Sequence, residues 1–337
     1  MLRIVEAGTK KLAEPGSHMT LHPQAKAVLD LLNQAPTPLM DLPPTEARTA
    51  YDRFIFPRNF DPVPLGNVED RQIPSSGGDM RIRIYQPNTA SQAEAGPLPI
   101  FLFIHGGGFV IGSIESRDPQ CRLICRDTPC IVVSVDYRLA PEHPFPAAPD
   151  DCWAALEWIY VNAAAFGGDP ARIGVGGESA GGNLAAGLAL RARAAGGPDL
   201  WAQILVYPIT DMFLEQDLPS YAFLDEDFFL TRDQMAWYHD CYAPGMTTTD
   251  DIMLSPSKAD ELGDLPFTQI VTAEFDPLRD DGKRYGERLA AAGVPVEYIC
   301  MAGMIHGYWH YGKLIDASGE ALKLSIDALQ RAFSDGS

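Results

Sequence analysis

From residue 100 onward, short apolar runs alternate with longer segments of helical periodicity. The apolar runs predict strands at Ile100–Ile104, Ile131–Val135, Ile173–Val175, Ile204–Tyr207, Gln269–Thr272 and Val296–Cys300. Helical patterns lie near Pro119–Arg126, Pro149–Phe166, Ala180–Ala195, Asp280–Ala292 and Gly319–Phe333. Strands that are apolar throughout and separated by helices are typical of a parallel sheet with helices on both faces. The pattern therefore predicts an α/β fold with a mostly parallel central sheet.

The first hundred residues follow a different pattern. Apolar positions at helical spacing predict a helix over His22–Leu32, and a second helix, Thr45–Phe56, follows a run of prolines. Residues 68–86 alternate as two strands around a Gly-Gly pair, which indicates a hairpin. Residues 91–99 are expected to form a surface loop.

Residues 1–21 are expected to form a tail without function. This stretch lacks the apolar core of a secretory signal. Its Gly-Ser-His-Met at residues 16–19 resembles the scar that an expression vector leaves.

Charge and composition narrow the function classes. The chain has 337 residues, 26 basic against 45 acidic, and a net charge of −19. No basic cluster is present that could neutralise nucleic-acid phosphates, and an uncharged substrate suits this acidic protein better than a polyanion. No apolar run reaches the ~18 residues of a membrane-spanning helix, so no membrane insertion is expected. The six cysteines include no Cys-x-x-Cys pair, which favours reduced thiols in a cytoplasmic protein.

A serine lies between a predicted strand and a predicted helix, in Gly177-Glu178-Ser179-Ala180-Gly181. This strand–turn–helix context is that of a nucleophile elbow, where glycines two residues before and after the serine permit a sharp turn. The serine is then held above the carboxyl edge of the sheet. We expect Glu178 to support the structure of this site rather than to react.

A second glycine-rich motif, His105-Gly106-Gly107-Gly108, follows the predicted strand Ile100–Ile104. Three glycines let a loop backbone approach a substrate and turn its N–H groups inward, where they can stabilise an oxyanion. Neither a P-loop nor a dinucleotide-binding spacing is present. His105 is expected to hold the loop.

A nucleophilic serine requires a base and an acid that orients it. Downstream of the serine the histidines are His239, His306 and His310, and His306 follows the last predicted strand. His239 is expected to be a surface or cap residue, and His310 is the alternative base. The best acid is Asp276, which follows the strand Gln269–Thr272. Asp280 and Asp281 open the next helix and are expected to cap it or to hold the loop.

Five motifs, in order, carry a family resemblance. They are HGGGF at residues 105–109, YRLAPEHPFPAAPDD at 137–151, GESAGG at 177–182, DPLRDDG at 276–282 and IHGY at 305–308. Together they resemble the hormone-sensitive-lipase-like (bacterial family IV) carboxylesterases over residues 22–333. The resemblance implies an α/β-hydrolase domain of residues 61–210 and 256–337, with a helical cap from residues 22–60 and 211–255.

The resemblance also implies the roles of particular residues. It makes Ser179, Asp276 and His306 the catalytic triad, and it makes the N–H groups of Gly107, Gly108 and Ala180 the oxyanion hole. The implied activity is hydrolysis of a small-molecule ester through an acyl-enzyme, with no metal or organic cofactor. The alternatives are an amidase or peptidase on the same triad and a non-catalytic small-molecule receptor on this scaffold.

The sequence constrains the size of the substrate and the oligomeric state less tightly than it constrains the fold. Residues 211–255 break the strand–helix rhythm and are rich in aromatic and acidic side chains, which suits a cap over an active site. Packing of the segments 51–60 and 223–238 over the site is expected to limit the acyl chain to short or medium length. The candidate pocket residues are Phe109, Phe223, Phe228, Phe229 and Trp237. A monomer or a homodimer is expected, and the last strand, Val296–Cys300, is a candidate edge for dimerisation.

Overall fold

One large β-sheet organises the part of the chain that the structure describes. The computed structural model describes residues 2–7, 20–34, 37–88, 96–214, 217–225 and 228–335. The strands are β1 (Leu2–Ala7), β2 (Asn67–Ser75), β3 (Gly78–Gln86), β4 (Leu98–Ile104), β5 (Ile131–Val135), β6 (Gly168–Glu178), β7 (Leu200–Val206), β8 (Phe267–Phe275) and β9 (Val296–Ile305). They pair in the order β1-β9-β8-β7-β6-β4-β5-β3-β2. Only β3 runs antiparallel to its neighbours, β2 and β5, so the predicted mostly parallel sheet is confirmed.

All the strands predicted from apolar runs are present, but most are longer than predicted. β6 is the clearest case, because only residues 173–175 were predicted within its eleven residues. Its glycines add no apolar side chain to the pattern, yet they are buried. A Cβ on Gly176 would lie 2.5 Å from the backbone oxygen of Ile204 on the neighbouring strand. Likewise, Leu98 and Pro99 begin β4 rather than end the predicted loop, whose residues 91–95 lie outside the described residues.

The N-terminal residues correct two expectations. β1 pairs in parallel with β9, from Leu2 opposite Val296 to Ala7 opposite Met301. The expected tail is therefore wrong for residues 2–7, while the suspected vector scar lies outside the described residues. Because β1 covers β9, the expectation that β9 offers a free edge for dimerisation is also wrong.

The helices are α1 (Pro23–Leu32), α2 (Pro44–Ile55), α3 (Ile114–Asp127), α4 (Ala147–Asn162), α5 (Ala180–Ala195), α6 (Arg232–Tyr242), α7 (Arg279–Ala291) and α8 (Asp316–Asp335). The main difference from prediction is α3, which begins five residues before the expected start at Pro119. Ser113 and Ser116 form a reciprocal capping box there, with bonds of 3.0 and 3.1 Å. This cap satisfies the first N–H groups, so the helix does not need the proline to open it.

The helices divide into those that cover the sheet and those above its carboxyl edge. α4 packs against α5 and α3 against α8, and apolar side chains fill the space between these helices and the sheet. Residues of α1, α2 and α6 instead line a cavity above the strand ends. Among the described helices, none combines the length and the apolar character needed to cross a membrane.

Candidate active site

Ser179 lies at a sharp turn between β6 and α5. Its φ of 55° and ψ of −117° are strained for a residue with a side chain. The flanking glycines make the turn possible, since a Cβ on Gly177 or Gly181 would lie 2.3 or 2.1 Å from the backbone oxygen of Ile104. The backbone N–H of Ser179 donates to the oxygen of Val206 at 2.9 Å, which fixes the turn against β7.

Three side chains that follow three different strands meet above the sheet. His306 Nε2 lies 3.0 Å from Ser179 Oγ, and His306 Nδ1 lies 2.8 Å from Asp276 Oδ2. Asp276 is fully buried, and its Oδ1 accepts a hydrogen bond of 2.8 Å from the backbone N–H of Leu278. When His306 Nδ1–H donates to Asp276, Nε2 is left as the acceptor for the serine proton. The three residues come together because each directly follows the carboxyl end of a parallel strand.

The alternative bases lie apart from the nucleophile. His310 Nε2 is 3.3 Å from both Glu178 Oε2 and Tyr207 Oη. His239 lies on α6, and its ring packs against Phe213 with the centroids 4.9 Å apart. Neither is hydrogen-bonded to Ser179 within the described residues, so the geometry favours His306.

The alternative acids hold loops of the segment that follows β7. Asp280 accepts a hydrogen bond of 3.0 Å from the backbone N–H of Ser220. Asp281 accepts bonds from the backbone N–H and the hydroxyl of Thr210, at 2.6 and 2.7 Å. Burial raises the pKa of Asp281 to about 7 despite these donors.

The glycine-rich loop after β4 faces the nucleophile. Gly107 and Gly108 have φ values of 116° and 59°, in the region that favours glycine. Both line the same cavity as Ser179, together with Ala180 at the start of α5. Among the described residues, no acceptor bonds to the backbone N–H of Gly107, Gly108 or Ala180. This arrangement offers three donors to a developing oxyanion.

His105 lies beneath this loop. Its ring stacks on Tyr137 with the centroids 4.3 Å apart, and its Nδ1 is 2.9 Å from the backbone oxygen of Gly106. The Tyr137 hydroxyl donates to the backbone oxygen of His105 at 2.9 Å. Burial lowers the pKa of His105, which favours a neutral ring that packs rather than reacts.

Glu178 belongs to a buried polar network beside Ser179 and His306. Its Oε1 accepts hydrogen bonds from the backbone N–H of Gly106 and from Arg117 Nε, the latter at 2.8 Å. Arg117 is fully buried and also donates to the hydroxyl of Tyr51 at 2.8 Å. Burial raises the pKa of Glu178, but the charge of Arg117 and the bonds from His310 and Gly106 outweigh it and hold that pKa below its usual range. Burial and Arg117 lower the pKa of His310 to about 4, so that ring is neutral near pH 7.

A cavity of about 1070 Å³ opens above Ser179 and His306. Of the predicted pocket residues, Phe109, Phe229 and Trp237 line it. Phe223 and Phe228 do not, and their assignment to the pocket is corrected.

The two excluded phenylalanines pack at the end of β8 instead. Their rings lie 5.9 and 5.3 Å from the ring of Phe275, between centroids. Both rings therefore belong to an apolar cluster at the end of β8 rather than to the cavity wall. The sequence shows only that the segment is aromatic, and it does not show which rings face the substrate.

The chain is similar to known proteins over most of its length. The family model of the alpha/beta hydrolase fold matches residues 101–310. The chain belongs to this family. The carboxylesterase NlhH of Mycobacterium tuberculosis is 43% identical over 276 residues, 80% of this chain and 84% of NlhH. The esterase LipI of the same species is 44% identical over 265 residues, 78% of this chain and 81% of LipI.

A solved structure supports the same family assignment. The ester-hydrolase EH1AB1 from the metagenome of Lake Arreo superposes with a TM-score of 0.88 at 36% identity, over 93% of this chain and 99% of that one. These similarities confirm the predicted membership among the hormone-sensitive-lipase-like carboxylesterases, and the chain is an enzyme of that class.

Several residues that line the cavity of this carboxylesterase lie outside the recognisable sequence motifs. Tyr51 and Phe54 on α2, Met235 and Tyr238 on α6, and Met212 after β7 all line the cavity. In the sequence they are apolar positions of amphipathic segments, which resemble ordinary core positions. In the sequence, only the position of these segments in the predicted cap indicates that these residues can face a substrate.

Proposed function

We propose that this carboxylesterase hydrolyses short- to medium-chain acyl esters through an acyl-enzyme on Ser179. The observation that carries the proposal is the hydrogen-bonded chain from Ser179 Oγ through His306 to Asp276, at 3.0 and 2.8 Å. Such a chain lets a serine lose its proton as it attacks a carbonyl.

In the proposed mechanism, His306 Nε2 takes the proton of Ser179 as Oγ bonds to the ester carbonyl. The N–H groups of Gly107, Gly108 and Ala180 stabilise the resulting oxyanion, and Asp276 stabilises the imidazolium. His306 then gives its proton to the leaving alcohol. Water repeats the cycle on the acyl-enzyme and releases the acid. None of these steps requires a metal or an organic cofactor.

The proposed chain length rests on the roof of the cavity. Residues of α1, α2 and α6 line the cavity that contains Ser179, which supports a cap made from residues 22–60 and 211–255. Each buried CH₂ adds ~0.8 kcal/mol only while it finds room. We expect kcat/KM to be highest near butyrate or hexanoate and to fall for palmitate.

The cysteines support a cytoplasmic location. All six are unpaired, and five of them are buried. Free thiols persist best in a reducing compartment.

The test of the proposed function is Ser179→Ala with para-nitrophenyl butyrate. We expect kcat to fall by a factor on the order of 10⁴–10⁶, because no acyl-enzyme can form. Ser334→Ala, at an exposed position of α8, is the matched control and should keep full activity. More than a tenth of the activity remaining in Ser179→Ala would overturn the assignment. Faster cleavage of an anilide than of the matching ester would favour an amidase instead.

A further inference from the structure

The charges around the cavity differ from those of the protein as a whole. The chain carries a net charge of −19. Yet Glu178 is the only acidic residue among the described residues that line the cavity, and Arg53 and Arg58 line it as well. The Glu178 carboxylate is already occupied by Arg117 and by the backbone N–H of Gly106. The wall that bears Arg53 and Arg58 is therefore locally positive.

Neither arginine has an acidic partner within the described residues. Arg53 is exposed in the last turn of α2, and no ion pair or hydrogen bond holds its guanidinium. Arg58 donates from Nη1 to the backbone oxygen of Phe54 at 2.7 Å, and its guanidinium lies 4.1 Å from the centre of the Phe54 ring. These contacts fix Arg58 without neutralising it, and its Nε and Nη2 make no hydrogen bond there. Elsewhere in the described chain most arginines pair with a carboxylate, as Arg48 does with Glu142 at 2.6 Å.

The positive wall connects directly to the catalytic end of the cavity. Tyr51, earlier on the same helix, bonds to Arg117, and Arg117 bonds to Glu178, the residue before the nucleophile. Arg53 lies two residues after Tyr51 on α2, and Arg58 lies in the turn that follows the end of α2 at Ile55. Ser179, Arg53 and Arg58 line the same cavity, so one extended substrate can contact all three.

We propose that Arg53 and Arg58 bind a carboxylate carried by the substrate at the end remote from the scissile ester. The enzyme would then prefer esters that also carry a remote acid, such as monoesters of dicarboxylic acids. A planar guanidinium matches a carboxylate in shape and charge, and a second arginine that lines the same cavity adds positive charge. The acidic surface as a whole disfavours polyanions. Salt screens charges beyond about 10 Å, so a single carboxylate in the cavity interacts mainly with the arginines beside it. This inference rests on the proposed function, because it concerns the same cavity.

The experiment compares esters that differ only in the remote group. On the acyl side, para-nitrophenyl hydrogen adipate and hydrogen suberate are compared with para-nitrophenyl hexanoate and octanoate. On the alcohol side, the ω-acetoxy derivative of octanoic acid is compared with octyl acetate. The readout is the ratio of kcat/KM for the acid-bearing ester to that for the neutral ester, in the wild type and in Arg53→Gln, Arg58→Gln and the double variant.

In at least one of the two series, the double variant should lower this ratio on the order of tenfold, and high salt should lower it in the wild type, because the site is open to solvent. Arg232→Gln is the matched control: this exposed arginine of α6 pairs with Asp225 at 2.8 Å and does not line the cavity. Its ratio should equal that of the wild type. A merely structural role of the arginines would lower the melting temperature without changing the ratio.

An unchanged ratio in both series, in the double variant and at high salt, would overturn the inference. That failure is distinct from failure of the proposed function. If the ratio is unchanged while Ser179→Ala is inactive on the neutral esters, only the carboxylate site is wrong.

Discussion

Glu178 precedes Ser179 in the chain, yet its carboxylate faces the neighbouring loop and accepts a hydrogen bond from the backbone N–H of Gly106. The elbow that carries Ser179 is thereby tied to the loop that carries Gly107 and Gly108. The same carboxylate oxygen accepts from Arg117 Nε at 2.8 Å, and both side chains of this ion pair are buried. Glu178 therefore couples the position of Ser179 relative to Gly107 and Gly108 to the buried charge of Arg117.

Glu178→Ala should reduce both stability and activity. It leaves the buried Arg117 without its counter-ion, a change that costs about 3–5 kcal/mol of unfolding free energy. It also frees the loop of Gly106, so kcat should fall. Urea unfolding and kcat with para-nitrophenyl butyrate measure the two effects.

The double variant Glu178→Gln with Arg117→Met is the control for the charge. It removes both ions while keeping an acceptor near Gly106, so it should be more stable than Glu178→Ala. Equal stability of the two variants would show that the unpaired charge is not the cause.

His306→Ala should lower kcat by a factor on the order of 10⁴ or more, and Asp276→Asn by about 10⁴, because the base or its orientation is lost. His239→Ala is the control on the cavity wall, since that ring packs against Phe213 rather than bonding to Ser179. His310→Ala should be at least a hundredfold milder than His306→Ala. The measurement is kcat of the four variants at one pH, and an inactive His310→Ala beside an active His306→Ala would reverse the assignment.

His310 should make the protein less stable in acid. Burial and Arg117 lower the pKa of His310 from 6.5 to about 4. Between these values the unfolded chain binds a proton that the folded chain excludes, so unfolding becomes easier as the pH falls through this window. This one group should cost about 2 kcal/mol of unfolding free energy by a pH of about 5.

The matching measurement is urea unfolding of the wild type and His310→Gln from pH 8 to about 5. The variant lacks this titration, so its unfolding free energy should decline less steeply over that range. Parallel declines would show that His310 does not contribute. His105, whose pKa burial also lowers, is present in both proteins and cancels in the comparison.

Gly108→Ala should damage catalysis more than folding. Its φ is 59°, and a Cβ there would lie 2.1 Å from the ring of Tyr238. Moving the loop to relieve this contact displaces an oxyanion donor, and the loss of one such donor lowers kcat by about 10²–10³. Gly245→Ala is the control, since its φ is 76° but its Cβ would meet nothing within 4 Å. Equal kcat values for the two variants would argue that Gly108 supplies no donor.

The sequence predicted that Asp276 and His306 lie near one edge of the sheet, although the predicted runs end three and five residues before strands β8 and β9 do. Asp276 and His306 follow two such runs, and parallel strands bring their carboxyl ends to one edge. The features that were not predicted depend on contacts between residues that are far apart in the chain. Arg117 looks like a surface position of a helix, and only its bond to Glu178, 61 residues away, explains its burial. β1 was missed because its pairing with β9 joins the two ends of the chain.

The adjacent residues Phe228 and Phe229 allow a matched test of the cavity wall. Phe229 lines the cavity, and its ring lies 6.3 Å from that of His306, between centroids. Phe228 packs on Phe275, with the centroids 5.3 Å apart. Phe229→Ala therefore enlarges the cavity, whereas Phe228→Ala weakens the cluster at the end of β8.

Phe229→Ala should raise the ratio of kcat/KM for para-nitrophenyl decanoate to that for the butyrate. Each additional CH₂ that finds room adds ~0.8 kcal/mol, which is about fourfold in kcat/KM. The ratio cancels any general damage from removing a ring beside His306. Phe228→Ala should lower the melting temperature and leave the ratio at the wild-type value. If Phe228→Ala shifted the ratio and Phe229→Ala did not, the wall would be assigned to the wrong ring. A rate jump above the solubility limit of the ester would instead indicate a lipase that works at an interface.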